Sequence, residues 1–306
     1  MADFILVKFL DWLTVFQYVL KPGKRIFWLF LLSSFLLATY YLYRNKALNL
    51  STLFRLNRKK YWLNRSSILD VKWILVNQLF AVVIFIPVLG GQIAWAMSVY
   101  RQLVSWFGDG DFLSWPSGYV IALFTVTLFL VEDFSRFLVH FAYHKIPFLW
   151  RFHAIHHSAK VMTPLTLYRV HVVEYLINSI RAIAVVGLVS GIFIYCFNGR
   201  ISVYEVLGVS IFNFIFNLAG SNLRHTHIWL GFGKFEKWFI SPAQHQVHHS
   251  TARAHLDKNF GASLAIWDRL FGSWVNSKHT KVKSFGLYKQ SVPQNLRKQW
   301  LGIAPK

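Results

Sequence analysis

Cysteine, acid and proline are all scarce in this chain. A single cysteine, Cys196, sits in an apolar run. It allows no internal disulfide, no thiolate-held metal and no iron–sulfur cluster, and it fits a buried apolar residue better than a reactive thiol. Only 12 residues are Asp or Glu against 33 Lys and Arg, a net charge of +21 over 306 residues. No helix-turn-helix, zinc-finger or RNP pattern accompanies that charge, so no nucleic acid is expected as a partner. Basic loops beside membrane helices, close to anionic headgroups, account for it. Eight prolines and 17 glycines form no linker, and no low-complexity run or internal repeat divides the chain. A flavin or dinucleotide fingerprint, an HPGG-type cytochrome segment and the HExxH protease signature are missing too; Phe141 follows His140. GFGKFE at 231–236 is too short for a nucleotide loop.

What is present is apolar: 55% hydrophobic and 18% aromatic residues, with 15% charged. A soluble domain usually carries more charge. Five stretches approach the ~20 apolar residues that a spanning helix needs: 26–42, 71–100, 118–139, 173–197 and 203–223. Pro87, Gly90 and Gly91 mark a kink or a re-entrant turn in the second. Ahead of them, polar residues recur about once per turn at Asp3, Lys8, Asp11, Thr14, Gln17 and Lys21. Residues 1–25 therefore read as an amphipathic helix, interfacial or packed on the bundle, without the basic start and cleavage site of a signal peptide. The expected fold is all-α: an integral membrane helical bundle of four to five spanning helices, one domain over 26–306 with a basic tail at 279–306.

Charge orients the helices. Segment 43–72 carries eight Lys/Arg and one Asp, whereas 101–115 has one Arg and two Asp. The first should be cytoplasmic and the second outside. Helix three then ends on the cytoplasmic side, and helices four and five return the chain there. Everything histidine-rich falls on that one side, as a helical cap.

Histidine is the residue in excess. His140 and His144 are spaced i, i+4 at the end of the third apolar stretch. His153, His156 and His157 follow as HxxHH, and His245, His248 and His249 repeat that spacing. Residues i, i+3 and i+4 share a helix face, so each triplet can aim two or three nitrogens at one point. A lone core histidine is usually satisfied by a backbone partner; eight on matched spacings are not explained that way. Eight are too many for one ion, because tetrahedral zinc takes four, so two ions share the set. Imidazole suits Zn, Cu, Fe and Ni. Two irons beside lipid would fit oxygen chemistry on a C–H bond, and the spacing alone leaves a dizinc site open.

Other polar residues are candidates for supporting roles. Asp133 lies seven residues before His140, on the same helical face, where it could accept a ligand's free N–H or line a wet pocket. Glu174, in HVVE, has supporting and purely structural readings of equal weight. Asn222 could hold a water near the metals. Asp257 and Asn259 in LDKNFG suit an ordered turn as well as chemistry, and His255 and His279 read as surface residues.

The texts VEDFSRFLVHFAYH, FLWRFHAIHHS, SNLRHTHIWLGFGKFEKWFISPAQHQVHHS and DKNFGASLAIWDRLFGSW span about 131–274. With their HxxxH, HxxHH and HxxHH order, this region resembles the fatty acid hydroxylase/sterol desaturase superfamily, with a local likeness to its alkylglycerol monooxygenase branch. The resemblance implies a membrane non-haem diiron oxygenase with an all-histidine ligand set, acting on fatty acyl chains or sterol rings. It also implies a histidine ligand shortly before the last cluster. His225 fits that position as a ninth ligand and His227, two residues on, does not. The implied cofactors are two Fe ions, with O2 as co-substrate.

The implied activity is hydroxylation or desaturation of a lipid. An ether-lipid, alkylglycerol-type monooxygenase using tetrahydropterin is the alternative, and a non-catalytic membrane metal- or lipid-binding protein is a third. With no flavin, haem or iron–sulfur motif in the chain, electrons are expected from a separate reductase or acidic carrier docked on the basic cytoplasmic face.

Overall fold

The computed structural model describes residues 14–48, 59–109, 113, 115–199, 201–206, 209–280, 282–290 and 292–303. Eight helices organise them: α1 (Trp28–Arg44), α2 (Arg65–Phe107), α3 (Ser117–Lys145), α4 (Pro147–His157), α5 (Val172–Phe197), α6 (Ile211–Leu218), α7 (Pro242–His248) and α8 (Ile266–Leu270). Short 3-10 turns and two further one-turn helices, Lys59–Trp62 and Leu296–Gln299, join them. One strand pair, Glu205–Val206 with Val209–Ser210, is antiparallel. Most of the expected 1–25 helix lies outside the described residues. Its end, Thr14–Leu20, is a 3-10 helix that buries Val15 and Tyr18, and Gln78 of α2 donates to Thr14 Oγ1 at 3.0 Å.

α2 starts at Asn64, whose side chain accepts from the Ser66 and Ser67 N–H groups at 2.8 and 3.0 Å and so caps two of the first turn's free donors. It then runs unbroken for 43 residues, about 65 Å at the usual rise. The re-entrant turn expected near Pro87, Gly90 and Gly91 is absent. α2 lies along α5, where Gly187 and Gly191 form a smooth face. A Cβ on Gly187 would come within 2.6 Å of Trp95 Cδ1, and one on Gly191 within 2.6 Å of the Ala96 carbonyl oxygen. Small residues four apart let two helices approach closely.

Among the described residues, α3 and α5 are the two helices long and apolar enough to cross a membrane. Only 22% and 33% of their most apolar stretches are buried in the protein. Leu123, Val126, Leu130 and Leu138 of α3, and Ile180, Leu188 and Ile192 of α5, remain exposed. An apolar wall of that extent is costly in water and at home in lipid. The fifth expected span, 203–223, is not a continuous helix. The strand pair occupies its start, α6 covers eight residues, and Gly220 at φ +86° ends the run. Eight residues reach about 12 Å, too short to cross. Polar groups inside this stretch explain the break: Asn217 pairs with Ser221, and the Tyr204 N–H goes to Thr125 of α3.

The basic segment 279–306 is more than a tail. Val292 and Ile303 join Leu69, Trp73, Ala154 and Ile155 in one core cluster beneath α4. The Ile303 N–H donates to the Arg151 carbonyl at 2.7 Å. Beside it, fully buried Arg169 is paired with Asp70 at 2.6 Å, tying the turn after α4 to the start of α2. Buried pairs of this kind fix geometry more than they add stability.

Candidate metal centre

Proline sets the first half of the centre. Ile146 is extended and Pro147 cannot continue the ladder of α3, so α3 stops at Lys145 and α4 starts at once with Pro147 in its first turn. This corner brings His140 and His144 opposite His153, His156 and His157. The second half begins at Ser241, whose hydroxyl and backbone exchange hydrogen bonds with Gln244 in a capping box that starts α7. α7 carries His245 and His248, with His249 as its C-cap, and the 3-10 turn Ser221–His225 contributes His225.

Nine histidines converge in two groups. One nitrogen from each of His140, His144, His153, His157 and His248 lies within 4.8 Å of all the others in its group, and the same holds for His156, His225, His245 and His249. Each HxxHH places two of its nitrogens in one group and sends the third to the other. His153 and His157 join the five-membered group while His156 crosses to the four. His245 and His249 belong to the four while His248 crosses to the five. The cause is helical geometry: i and i+4 lie nearly in line, while i+3 turns to the other side of that line. The groups touch, with the His157 and His249 rings stacked at 4.4 Å.

The nitrogen geometry suits metal ions. Nε2 of His157 lies 3.2 Å from Nε2 of both His144 and His153, and Nε2 of His245 is 3.1 Å from His225 and 3.2 Å from His249. Two nitrogens bound to one ion at ~2.0–2.1 Å are about 3 Å apart. Burial pushes His153 and His156 down to about 3, and holds His157, His225, His245, His248 and His249 well below the usual imidazole range. All therefore carry a free lone pair at neutral pH. Nε2 of His140 and of His248 are buried with no hydrogen-bond partner in the protein, a costly state that a bound cation resolves. Nine neutral imidazoles with convergent lone pairs fit two divalent ions.

The opposite ring nitrogens are held from outside. Nδ1 of His140 faces the Phe260 carbonyl at 2.7 Å, Nδ1 of His248 faces the Lys258 carbonyl at 2.8 Å, and Nδ1 of His153 faces Glu174 Oε1 at 3.1 Å. Asp257 Oδ1 is 3.3 Å from Nδ1 of His144. Such acceptors fix the tautomer and turn Nε2 inward.

Of the three supporting residues expected from sequence, Glu174 touches a clustered histidine. Asp133 does something else. Its carboxylate accepts from the Ser263 and Leu264 N–H groups and from Trp267 Nε1, at 2.9 to 3.0 Å. It clamps the loop that presents Phe260 to His140, one step removed from the ring. Asn222 donates to the Arg25 carbonyl at 2.8 Å and so pins a neighbouring loop. His227 is outside both groups, edge-on to Tyr61. His255 faces Ser250 Oγ at 2.8 Å.

The acceptors that sequence reasoning missed come from one loop. Asp257 and Asn259 both have positive φ, 57° and 56°, and the Asn259 side chain braces the turn through the Gln244 and Val275 carbonyls at 3.1 Å. Asp268 accepts from the Phe260 and Gly261 N–H groups at 2.7 Å. Gly261 is obligatory, because a Cβ there would lie 2.4 Å from the Leu264 carbonyl oxygen. DKNFG was visible as text, but a backbone carbonyl has no sequence signature.

Two adjoining groups of mostly buried histidines, set at the end of apolar helices, are compatible with metal binding. Residues 125–273 match the family model for fatty acid hydroxylase. It is 25% identical to the ornithine lipid hydroxylase OlsE of Rhizobium tropici, over 56% of this chain and 48% of that protein. It is 27% identical to alkylglycerol monooxygenase of Homo sapiens, over 48% and 29%, and 27% identical to cholesterol 25-hydroxylase of Rattus norvegicus, over 50% and 47%. The alignments thus cover half or less of these relatives' own lengths. No solved structure matches.

Proposed function

We propose that this protein is a membrane lipid oxygenase that holds two iron ions and uses O2 to hydroxylate a lipid. The observation that carries the reading is the division of nine convergent imidazoles, seven of them buried, into two adjoining groups within the segment that matches the fatty acid hydroxylase model. His140, His144, His153, His157 and His248 would hold one ion, and His156, His225, His245 and His249 the other. Iron, when bound, supplies the redox chemistry that activates O2. In balance, one C–H bond becomes C–OH, the second oxygen atom leaves as water, and two electrons and two protons come from outside. Loss of a second hydrogen instead would give a double bond, with both oxygen atoms leaving as water and the same two electrons and two protons supplied from outside.

The chain's own part is to orient and to shield. A cavity of about 250 Å³ between α3 and α5 is lined by His140 and His153 of one group and His156 of the other. A lipid carbon held there would meet both metal positions at once. Glu174 and the carbonyls of Phe260 and Lys258 keep the rings aimed inward. On the far side of the five-histidine group a second cavity of about 250 Å³ is lined by His144, His157, His248, Trp150 and Tyr288. A separate reductase or electron carrier approaching there would not compete with lipid. The basic segment 43–72 supports a cytoplasmic placement of this face. The alkylglycerol monooxygenases among the relatives favour a second reading, ether-lipid oxidation, for which a tetrahydropterin would be the electron donor.

The test is untargeted lipid mass spectrometry on host membranes carrying the wild type, His156→Ala or His248→Ala, with metal analysis of the purified proteins. A lipid shifted by one oxygen or by two hydrogens, seen only with the wild type, supports the reading. Identical lipids, with no iron in the wild type, favour a non-catalytic lipid- or metal-binding protein.

A further inference from the structure

Beside the histidines, α3 and α5 carry a polar stripe that runs on past the ligand set. On α3, Glu132 and Arg136 lead up to His140, each four residues on. On α5 it is Glu174, Asn178 and Arg181, spaced four and three. These positions place each set on one helical face, and the two helices pack together. Ionisable groups in otherwise apolar helices are expensive to keep and mark function by default.

The charge on the stripe does not cancel. Glu132 is the shared partner of two guanidinium groups, with Oε2 on Arg136 and Oε1 2.9 Å from Arg181. One carboxylate thus faces two cations. Asp133 is held by three N–H donors of the 263–267 loop, and Glu174 is turned to His153. Arg181 is nine-tenths buried, bonds Ser135 as well, and its Nε has no partner. Arg136 is different, because its side chain is 39% exposed.

Arg136 also stands at a junction. It lines the 250 Å³ cavity that holds His140, His153 and His156, and it lines a neighbouring cavity of about 140 Å³. That second cavity shares Phe129 with a third, of about 440 Å³, whose walls are almost entirely aromatic and aliphatic. In order, the series runs from the histidines to Arg136, then Phe129, then an apolar chamber.

We propose that Arg136, backed by Arg181 through Glu132, is the headgroup site of the substrate, which is a lipid bearing an oxyanion, either carboxylate or phosphate. This rests on the oxygenase reading above and narrows it. The guanidinium fork matches an oxyanion in geometry as well as charge, and the apolar chamber beyond Phe129 takes the long hydrocarbon. Arg136 and His140 are one helical turn apart, about 6 Å along the axis. Oxidation therefore falls close to the polar end of the lipid, and a substrate oxidised at the far end of a long apolar body does not fit this arrangement.

The experiment uses the full chain in detergent, loaded with zinc as a redox-silent ion. Retained lipid is counted by native mass spectrometry. The probes are oleate against methyl oleate, and dioleoyl phosphatidic acid against dioleoylglycerol. The wild type should retain at least one oxyanion lipid about tenfold better than its neutral counterpart. Arg136→Gln should abolish that preference and leave the neutral lipids unchanged, while Arg136→Lys should keep part of it. Preference in the oleate pair alone names a fatty carboxylate, and preference in the phosphatidic acid pair alone names a phospholipid; both support the assignment. A wild type without preference, or an Arg136→Gln protein that keeps it while binding zinc normally, overturns it. Zinc content on the same samples tests the metal reading separately: a wild type that binds no zinc but prefers oxyanion lipids loses the oxygenase and keeps the headgroup site.

Discussion

The five-histidine and four-histidine groups are built from the same motif and differ in how they are braced. Each HxxHH gives an i, i+4 pair to one group and its middle histidine to the other. The inequality arises because His140 and His144 add two nitrogens on one side, while His225 adds one on the other. In the larger group, His140, His144, His153 and His248 have an acceptor at Nδ1. In the smaller, the Nδ1 atoms of His156, His245 and His249 are buried without a protein partner. Outer acceptors raise ligand basicity and lock ring orientation. The structure thus braces four rings of one group and leaves at least three of the other without a protein acceptor at Nδ1, so an ion bound in the four-histidine group should be the more readily exchanged.

Deleting a ligand from each side is the harshest way to break that comparison. His248→Ala and His249→Ala should each abolish lipid oxidation, yet elemental analysis should differ. We expect His249→Ala to lose one ion and keep the other, since the braced group is untouched. His248→Ala should lower affinity in the five-histidine group while four ligands remain, a full tetrahedral set. Equal and complete metal loss in both variants would show that the two positions fill only as a unit. Next in size is Glu174→Gln, which keeps the shape and removes the carboxylate beside His153. Metal affinity of the five-histidine group should fall about 10–100-fold, read by chelator competition, with the other group unmoved.

How much of this could be read from the chain alone follows from which interactions are periodic. The histidines are legible because ligands on helices recur at three and four residues. The split of each triplet was legible in principle, in the offset between i+3 and i+4, but needs both helices placed to be seen. Asp133 shares a face with His140, yet its partners in the 263–267 loop could not be read from the chain, because a helical face says nothing about which loop packs against it. The unbroken α2 hid behind Pro87 for a similar reason: Gly187 and Gly191, which seat it, lie about 100 residues away in sequence. The break in 203–223 was signalled by Asn213, Asn217, Ser221 and Asn222, which an average of hydropathy conceals. The braces on His140 and His248 are main-chain carbonyls, which any residue supplies.

Because the bracing comes from the 257–268 loop, a change that never touches a histidine should act on one group only. Gly261→Ala puts a Cβ 2.4 Å from the Leu264 carbonyl and 2.8 Å from Asp268 Oδ2. Crowding against backbone of this kind costs about 1–3 kcal/mol. The loop should yield, and the Phe260 and Lys258 carbonyls with it. The expected result is a lower melting temperature together with weakened metal binding in the five-histidine group; lowered stability with both groups equally weakened would show that the loop supports the whole fold and not one site.

Asp257→Asn is the mildest change and the sharpest discriminator. Asp257 shares its carboxylate between His144, at 3.3 Å, and Lys145, and is 40% exposed. Water screens an ion pair at that exposure, so its contribution is small. The amide keeps an oxygen that can accept from Nδ1 of His144, whereas the charge that raises ring basicity is gone. If bracing acts through orientation, Asn preserves metal affinity almost unchanged. If it acts through charge, affinity in the five-histidine group drops by a few-fold, less than for the buried Glu174→Gln. The ratio of the two effects, measured by the same chelator competition, separates geometry from electrostatics as the reason one metal position is better held than the other.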